Sequence, residues 1–495
     1  MKIDYNKFVS IVIFFSFTNS SFSQINENSN ELSLPTRKII NELITFNKEN
    51  SSFENKIKYR IDFNNVINSG HVNLDNNAEL YSPSKTSTMV SARFSYFSQF
   101  ITIEIEPYVI NRLKYFKTSE LSGPFQVSNN HTNFLPKEQN KIGLKQSQIL
   151  LNIKNLQLGY GNMSHWWGSG FHTALTLTSN SPSQKTYFAK TKNSFLNERI
   201  AILSQIIAIP YRNRERNDIY FTGLRANIDY YSSLSIISIG FNRTYYSGNF
   251  TDQENINKQK WTLVDATNLV FEPLFGQSKR GLDYTIPGTP GFDLWDEMLS
   301  GFINLKFIDM NLEIYAEIAS DDNRGNFTDL RAHWDHTLGY QLGIKKFTKI
   351  NNLKMFTGLE YLSTKVSNTF NPKFYRGDPN SPNFYTKIIY DYSSYDGRRM
   401  GAHSGTSSDD LILLIGFEKN ESILLASFNK ERHGLKSFNF PEIKYELSII
   451  YQYMFKNKYQ FSLNLEHEKI NNFGFKENNI STSKILWLGY SFIIK

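Results

Sequence analysis

The chain has 495 residues, of which 15% are aromatic and none is cysteine, and its mean hydropathy is −0.42. The lack of cysteine excludes disulfides and a lipidated N-terminal cysteine. The formal net charge is +8, but lysine and arginine are scattered, which disfavours nucleic-acid binding and leaves acidic glycans or lipid head groups as candidate partners. Low hydropathy with abundant aromatic residues is typical of a membrane barrel with a wet interior, although a soluble β protein can mimic this composition.

Residues 1–23 have the composition of a secretory signal peptide. Two lysines precede a mostly apolar run, and small serine residues follow it. This run is too short to cross a bilayer, and no later stretch reaches the roughly 18 apolar residues of a membrane-spanning helix. Residues 24–55 are predicted to form a periplasmic segment that contains a short amphipathic helix beginning near Thr36.

From residue 56 to residue 495 the sequence alternates between apolar and polar residues. Ile101, Ile103 and Ile105, for example, alternate with polar side chains. Similar alternation recurs in about 18 to 20 segments, most of them near the length that a tilted strand needs to cross a membrane. Charges that alternate with aliphatic residues are difficult to bury in a sandwich core but suit a water-filled lumen. The sequence therefore predicts an all-β fold, a transmembrane antiparallel β-barrel of about 18 strands.

The connections and the last strand agree with this fold. Long stretches without alternation fall at about 246–296, 364–384 and 390–410. A structureless stretch as long as the first is unusual in a compact domain, but an outer loop folded over a barrel mouth accommodates it. The last strand, 484–494, has one apolar face and would close the barrel, which suits recognition by the barrel-insertion machinery.

The most distinctive stretch runs from residue 155 to residue 182, where a strand-like run ends in a tryptophan pair set between glycines. Trp166 and Trp167 offer indole faces that can stack on the apolar C–H surface of a sugar ring. His165 can supply hydrogen bonds to such a ligand. The alternative is a tight turn whose tryptophans lie at the membrane interface.

Other polar clusters resemble enzyme or metal sites in content only. On a strand, His333 and His336 point to opposite faces, so they do not converge on one metal ion. His403, Ser404 and Asp409 lack the glycine pattern of a nucleophile elbow. The sequence therefore predicts no metal site, no cofactor and no catalytic activity.

Charged residues on the polar faces can either brace the wall or bind a hydroxyl-rich or anionic chain. Asp321 and Asp322 resemble calcium ligands, but such a pair beside Asn323 is more often a solvated turn. The candidate glycan-binding residues are His165, Trp166, Trp167, Arg243, Glu317, Asp321, Arg398, Arg399 and His403.

The stretch 158–182, LGYGNMSHWWGSGFHTALTLTSNSP, resembles the Wzi-type capsule assembly family of outer-membrane proteins, in particular its divergent Bacteroidetes-like members. Five further stretches follow in the order that the family shows, namely FTGLRANIDYY, IGFNRTYY, FDLWDEMLSGFINLKF, LEIYAEIASDD and YDYSSYDGRRMGAHSGTSSDD. The resemblance implies an 18-stranded barrel with a small periplasmic helical part and a lectin-like role with capsular polysaccharide. The positions that match the family are Trp166, Trp167, Gly168, Gly170, Glu317, Asp321, Arg399, Gly401 and His403.

We therefore expect a non-enzymatic barrel that binds capsular or extracellular polysaccharide and aids its attachment at the cell surface. The expected location is the outer membrane, and the expected partners are polysaccharide, outer-membrane lipid and the barrel-insertion machinery, with no nucleic acid. The protein is expected to be a monomer. A porin-like diffusion channel is the first alternative function, and an outer-membrane enzyme acting on glycan or lipid is the second.

Overall fold

The computed structural model describes residues 56–80, 85–114, 121–131, 138–212, 218–249, 296–321, 338–366 and 384–494. The signal peptide and N-terminal helix, and most of the loops predicted at 246–296 and 364–384, lie outside these residues. Within the described ranges, no helix has the length and hydropathy needed to cross a membrane. Short 3₁₀ turns occur at Gly123–Val127, Ile388–Tyr390 and Phe473–Phe475.

The described residues form twenty-two strands, of which all but two belong to one antiparallel sheet. In chain order the strands are β1 (Lys56–Asn68), β2 (Thr86–Phe97), β3 (Ile101–Ile105), β4 (Pro107–Lys114), β5 (Glu138–Leu144), β6 (Ser147–Ile153), β7 (Leu156–Met163), β8 (Gln184–Phe195), β9 (Ile200–Arg212), β10 (Asp218–Tyr231), β11 (Ser235–Asn249), β12 (Asp296–Phe307), β13 (Leu312–Asp321), β14 (Leu338–Ile350), β15 (Leu353–Ser363), β16 (Ser394–Tyr395), β17 (Arg398–Arg399), β18 (Asp409–Lys419), β19 (Ser422–His433), β20 (Glu442–Phe455), β21 (Tyr459–Asn471) and β22 (Ile480–Ile494). The sheet closes because β1 pairs with both β2 and β22.

Two strands of the wall are each interrupted once. Both β3 and β4 pair with β2, while β3 also pairs with β6 and β4 with β5. The twenty segments therefore make eighteen wall strands, which confirms the predicted antiparallel barrel. The first break lies at Glu106, whose buried carboxylate pairs with Lys145 at 3.0 Å and with Arg93 at 2.7 Å. Pro107 follows and has no N–H to donate to a ladder.

The connections differ between the two ends of the barrel. Short turns join the strands at the end that holds both Lys56 and Ile494. One of them, Asn420–Glu421, has φ values of 47° and 63°, as a two-residue type I′ hairpin turn requires. The long connections lie at the opposite end. In outer-membrane barrels the short turns face the periplasm and the long connections face outward.

The outward face of the wall is apolar. On β22, Leu488 and Ile494 are exposed by 44% and 46%, whereas Trp487 and Ser491 face inward and are buried. A closed wall with exposed aliphatic and aromatic side chains suits contact with lipid. The predicted alternation is therefore confirmed, but the inward face also carries large apolar residues such as Trp487, which pack in an interior core.

Four connections from the long-connection end fold into the barrel and are largely buried. We call them the first (69–80), second (121–131), third (164–183) and fourth (384–408) inner segments; the fourth contains most of the loop predicted at 390–410. Arg398 of the fourth donates to the Leu74 carbonyl of the first, and also to Asn180 Oδ1 of the third at 3.3 Å. Asn129 of the second donates to Asp75 of the first at 2.6 Å. The four inner segments thus form one hydrogen-bonded layer.

The fourth inner segment owes its shape to a tight hairpin. Strands β16 and β17 pair with each other, and Asp396 and Gly397 between them have φ values of 51° and 72°. An Asp-Gly pair is among the sequences best suited to a type I′ turn because both central residues need positive φ. The turn therefore places Arg398 and Arg399 next to each other in the buried layer.

Candidate functional site

The tryptophan motif lies in the third inner segment, which one carboxylate holds to the wall. Glu360 of β15 accepts hydrogen bonds from the backbone N–H groups of Phe171 at 2.6 Å, His172 at 3.3 Å and Thr173 at 2.8 Å. Side chains of β13 and β14 donate two further hydrogen bonds to it. Because this buried carboxylate binds three successive N–H groups, it fixes the position of the turn that follows the tryptophans.

The two tryptophans have different environments. Trp167 is 2% exposed and lies over Gly223 of β10, where an added Cβ would stand 2.7 Å from its ring. Its backbone N–H donates to the Leu177 carbonyl at 3.0 Å. Trp166 is only partly buried, and its indole N–H donates to the Gly170 carbonyl at 3.1 Å. In this conformation Trp167 is a core residue and presents no open ring face to a sugar.

We expect Trp167→Ala to lower the free energy of unfolding by about 3–5 kcal/mol, because removal of a buried aromatic side chain leaves a cavity. The measurement is urea unfolding of the barrel in lipid vesicles. Trp166→Ala is the matched control and should cost less, because its ring is not enclosed on every side. Equal stability of Trp167→Ala and the wild type would contradict the core assignment.

The other residues predicted to bind glycan lie at separate places, and each has a partner inside the barrel. The pairs are His165 with Thr186, Arg243 with Glu297, Glu317 with Asn242, Asp321 with the backbone N–H of Tyr385, Arg398 with the Leu74 carbonyl, and Arg399 with the carbonyls of Tyr392 and Pro124. Burial lowers the pKa of Arg399 to about 10, and its guanidinium lies over the Tyr385 ring. The pairs of Arg243 and Glu317 join strands of the wall, and the other contacts hold the inner segments to one another and to the wall.

His403 is the remaining predicted residue, and it connects the fourth inner segment to β18. Its Nε2 lies 3.1 Å from Asp410 Oδ2, and His172 Nε2 of the third inner segment lies 3.3 Å from the same oxygen. Burial alone would lower the pKa of His403, but its contact with the Asp410 carboxylate raises it to about 9. Asp410 is therefore the point at which two inner segments meet the wall.

A second group of charges holds the first inner segment. The Lys444 ammonium of β20 contacts the carboxylate of Asp75 and lies 3.2 Å from Glu431, 3.1 Å from Glu446 and 3.1 Å from Glu468. Burial alone would raise the pKa of Asp75, but Lys444 outweighs this effect and holds the pKa below its usual range. One buried ammonium group thus forms ion pairs with four carboxylates.

A polar chamber of about 320 Å³ lies beside the tryptophan motif. Gly168 and Ser169 form one part of its boundary, and residues of β8 to β14, most of them inward-facing, form the rest. These residues lie in the halves of their strands that are nearer to the short turns. The volume falls at the lower end of the range of ligand pockets, about 300–1,000 Å³.

The lining of the chamber is rich in hydroxyl, amide and charged groups. The charged residues are Lys190, Arg225, Asp229, Glu313 and Lys345. Lys345 lies 2.8 Å from Glu313, and Asp229 accepts a hydrogen bond from Asn227 at 2.7 Å. The Arg225 guanidinium lies 5.2 Å from the centre of the Phe302 ring, and no carboxylate of the described residues is within ion-pair distance of it. Arg225 Nη1 donates a long hydrogen bond of 3.5 Å to the Trp166 carbonyl, and the rest of the guanidinium can bind an anionic or hydroxylated ligand.

No local pattern in the sequence groups these chamber residues into a site. Arg225, Asn227 and Asp229 alternate along β10, so their shared inward face was visible in the sequence. Their approach to Lys190 and Lys345 depends on the pairing register of seven strands, which no local pattern supplies. Gly168 and Ser169, together with a hydrogen bond of 3.5 Å from Arg225 to the Trp166 carbonyl, connect the chamber to the motif that the sequence singled out.

Comparisons with known proteins bear on this architecture. No protein-family model and no curated protein sequence matches the chain. Among solved structures, it is similar to Wzi of Escherichia coli, described as an outer-membrane protein involved in group 1 capsule assembly and a carbohydrate-binding β-barrel. The TM-score is 0.55 at 10% identity, over 93% of this chain and 90% of that chain. The chain has the fold of an outer-membrane β-barrel.

Weaker similarities extend to two barrels of Pseudomonas aeruginosa. OccK8 (OprE) gives a TM-score of 0.43 at 10% identity, over 89% of this chain and 99% of that chain. The outer-membrane protein OpdK gives a TM-score of 0.40 at 9% identity, over 89% and 99%. The barrel fold shared with Wzi, an outer-membrane protein, supports the predicted location in the outer membrane.

Proposed function

We propose that this protein is a non-catalytic outer-membrane barrel that binds a capsular or extracellular polysaccharide and aids its attachment at the cell surface. The observation that carries the proposal is the chamber, because its clustered hydroxyl, amide and charged groups can bind the hydroxyl groups and any acidic group of a sugar unit. The similarity of the fold to a carbohydrate-binding barrel and the resemblance of the tryptophan motif support the same function.

In this proposal the tryptophan motif acts through its backbone. Glu360 and the packing of Trp167 hold the turn in place, so that Gly168 and Ser169 form the boundary of the chamber. A sugar unit then contacts the wall residues on the short-turn side of the third inner segment. Each contact is weak, but a repeating polymer that engages many barrels is retained by the combined affinity.

We expect Arg225→Gln to weaken binding of the producing strain's purified polysaccharide by about tenfold, because a charge-assisted hydrogen bond contributes roughly 1.5–3 kcal/mol. The measurement is isothermal titration with the detergent-solubilised barrel. Arg60→Gln is the matched control, because Arg60 is also an inward-facing arginine but lies on β1, outside the chamber, and pairs with Asp62 at 2.7 Å. That variant should bind like the wild type.

The cellular test measures how much polysaccharide stays on cells and how much enters the medium, in a strain that carries Arg225→Gln. Transfer from the cells to the medium, with the barrel still present in the membrane, supports retention through the chamber. Unchanged affinity and unchanged distribution in Arg225→Gln would contradict the proposal.

A diffusion channel is the second candidate function, because the chamber is a polar space inside a closed barrel. Conductance across a planar bilayer separates the two functions. Large stable currents without polysaccharide binding support the channel, whereas binding with little current supports retention. The expected monomeric state and the expected contacts with lipid and the insertion machinery stay predictions.

A further inference from the structure

Three atoms of the kind that bind transition metals converge where the inner segments meet the wall. His172, His403 and Asp410 come from the third inner segment, the fourth inner segment and β18, and one donor atom of each lies within 4.8 Å of the others. Asp410 is 2% exposed and His403 is 3% exposed. Three atoms of this group are buried without a well-formed hydrogen bond to any described residue. They are both carboxylate oxygens of Asp410 and the Nε2 atom of His403. The group is therefore enclosed but incompletely satisfied.

The distances within this group are long for charge-assisted hydrogen bonds and are compatible with a shared metal ion. Asp410 Oδ2 lies 3.1 Å from His403 Nε2 and 3.3 Å from His172 Nε2. Hydrogen bonds between a charged N–H donor and a carboxylate are shorter, about 2.7–2.9 Å. In a tetrahedral zinc site with bonds of about 2.0–2.1 Å, neighbouring ligand atoms are about 3.3 Å apart. The two measured separations are close to that value.

The neighbouring charge group provides a contrast. There the Lys444 ammonium lies among four carboxylates and supplies the positive charge that they need. Among the described residues, no lysine or arginine lies within ion-pair distance of Asp410. Two imidazoles and one carboxylate instead have donor atoms within 4.8 Å of one another, and this donor set suits zinc and similar divalent ions.

We propose that His172, His403 and Asp410 bind a divalent transition-metal ion such as zinc. The ion holds the third and fourth inner segments to β18. Asn429 lies beside the group, with its Nδ2 2.9 Å from His172 Nε2 and its Oδ1 without a hydrogen-bond partner among the described residues. Rotation of this amide, or a water molecule, completes the coordination. The proposal departs from the sequence-based expectation of no metal site.

The test uses the full chain folded in detergent, treated with a chelator, dialysed and then titrated with zinc or cobalt. We expect one zinc ion per chain, measured by elemental analysis, and the intense visible absorption of four-coordinate cobalt. His172→Gln and His403→Gln should each weaken zinc binding by at least about 100-fold, because even outer-shell changes cost about 10–100-fold. His433→Gln is the matched control, since His433 is also buried and paired with a carboxylate, Glu431, but lies outside the three ligands.

The cobalt spectrum of the wild-type barrel decides the proposal if the ligand variants do not fold. The absence of stoichiometric zinc in the folded wild type would overturn it. Equal zinc binding by His403→Gln and the wild type would also overturn it, since the ion would then lie elsewhere. Polysaccharide binding is measured on the same samples, and a metal-free barrel that still binds polysaccharide separates failure of this site from failure of the proposed function.

Discussion

Glu360→Gln is expected to detach the third inner segment from the wall of the barrel. The carboxylate of Glu360 accepts hydrogen bonds from three consecutive backbone N–H groups, those of residues 171–173, and from side chains of the neighbouring strands. Glutamine has the same shape but replaces one oxygen by an NH₂ group, which faces donors instead of accepting from them. The cost should be about 3–5 kcal/mol, because buried donors lose a charged acceptor.

Hydrogen exchange of residues 164–183 measures this loss directly. In Glu360→Gln the amides of this segment should exchange much faster than in the wild type, while the wall strands keep their protection. Glu418→Gln is the control, because among the described residues Glu418 forms an ion pair only with the partly exposed Lys354, at 2.9 Å, near the short turns. Slow exchange of residues 164–183 in Glu360→Gln would show that packing, and not this carboxylate, holds the segment.

Lys444→Met is expected to be the most damaging change in the second charge group. It leaves three buried carboxylates, those of Asp75, Glu431 and Glu468, and the half-buried carboxylate of Glu446 without their common cation. Removal of one partner from a buried ion pair costs about 3–5 kcal/mol, since the remaining charge is uncompensated. The measurement is equilibrium unfolding in lipid vesicles, together with protease cleavage of the first inner segment.

A second substitution tests whether charge is the cause. Glu446→Gln in the Lys444→Met background removes one of the repelling carboxylates, so it should restore about 1–2 kcal/mol of the loss. Lys354→Met is the control, because Lys354 belongs to a partly exposed ion pair and should cost less than about 1 kcal/mol. No recovery in the double variant would assign the damage to lost packing of the lysine side chain.

The barrel was predictable because each wall strand repeats a strong local pattern. Residues such as Leu488 and Ile494 alternate with inward-facing ones, and the recurrence of this pattern fixes both the strand type and an approximate strand number. The interior was less predictable. Alternation assigns Trp487 to the inward face, but it does not reveal that connections fold inside and cover that side chain.

The site was predictable only in part for a related reason. The glycines around Trp166 and Trp167 indicated a tight turn, and the structure contains one. Whether an indole is a binding platform or a core residue depends on what lies opposite it, and for Trp167 that is Gly223, more than fifty positions along the chain. The sequence also separates His172 from His403 and Asp410, so their convergence needed the three-dimensional arrangement.

The hydrogen-bonded inner layer constrains the order in which the protein can form. Asp75 and Lys444 are 369 positions apart, and Arg398 bonds to a residue 324 positions before it. Contacts between such distant parts of a chain form slowly and only after the intervening chain is present. Asp75 of the first inner segment therefore cannot pair with Lys444 until β20 has been made. Placement of the first inner segment thus requires that the chain has been made as far as β20, and a chain truncated before β20 would leave Asp75 of this segment without its cation.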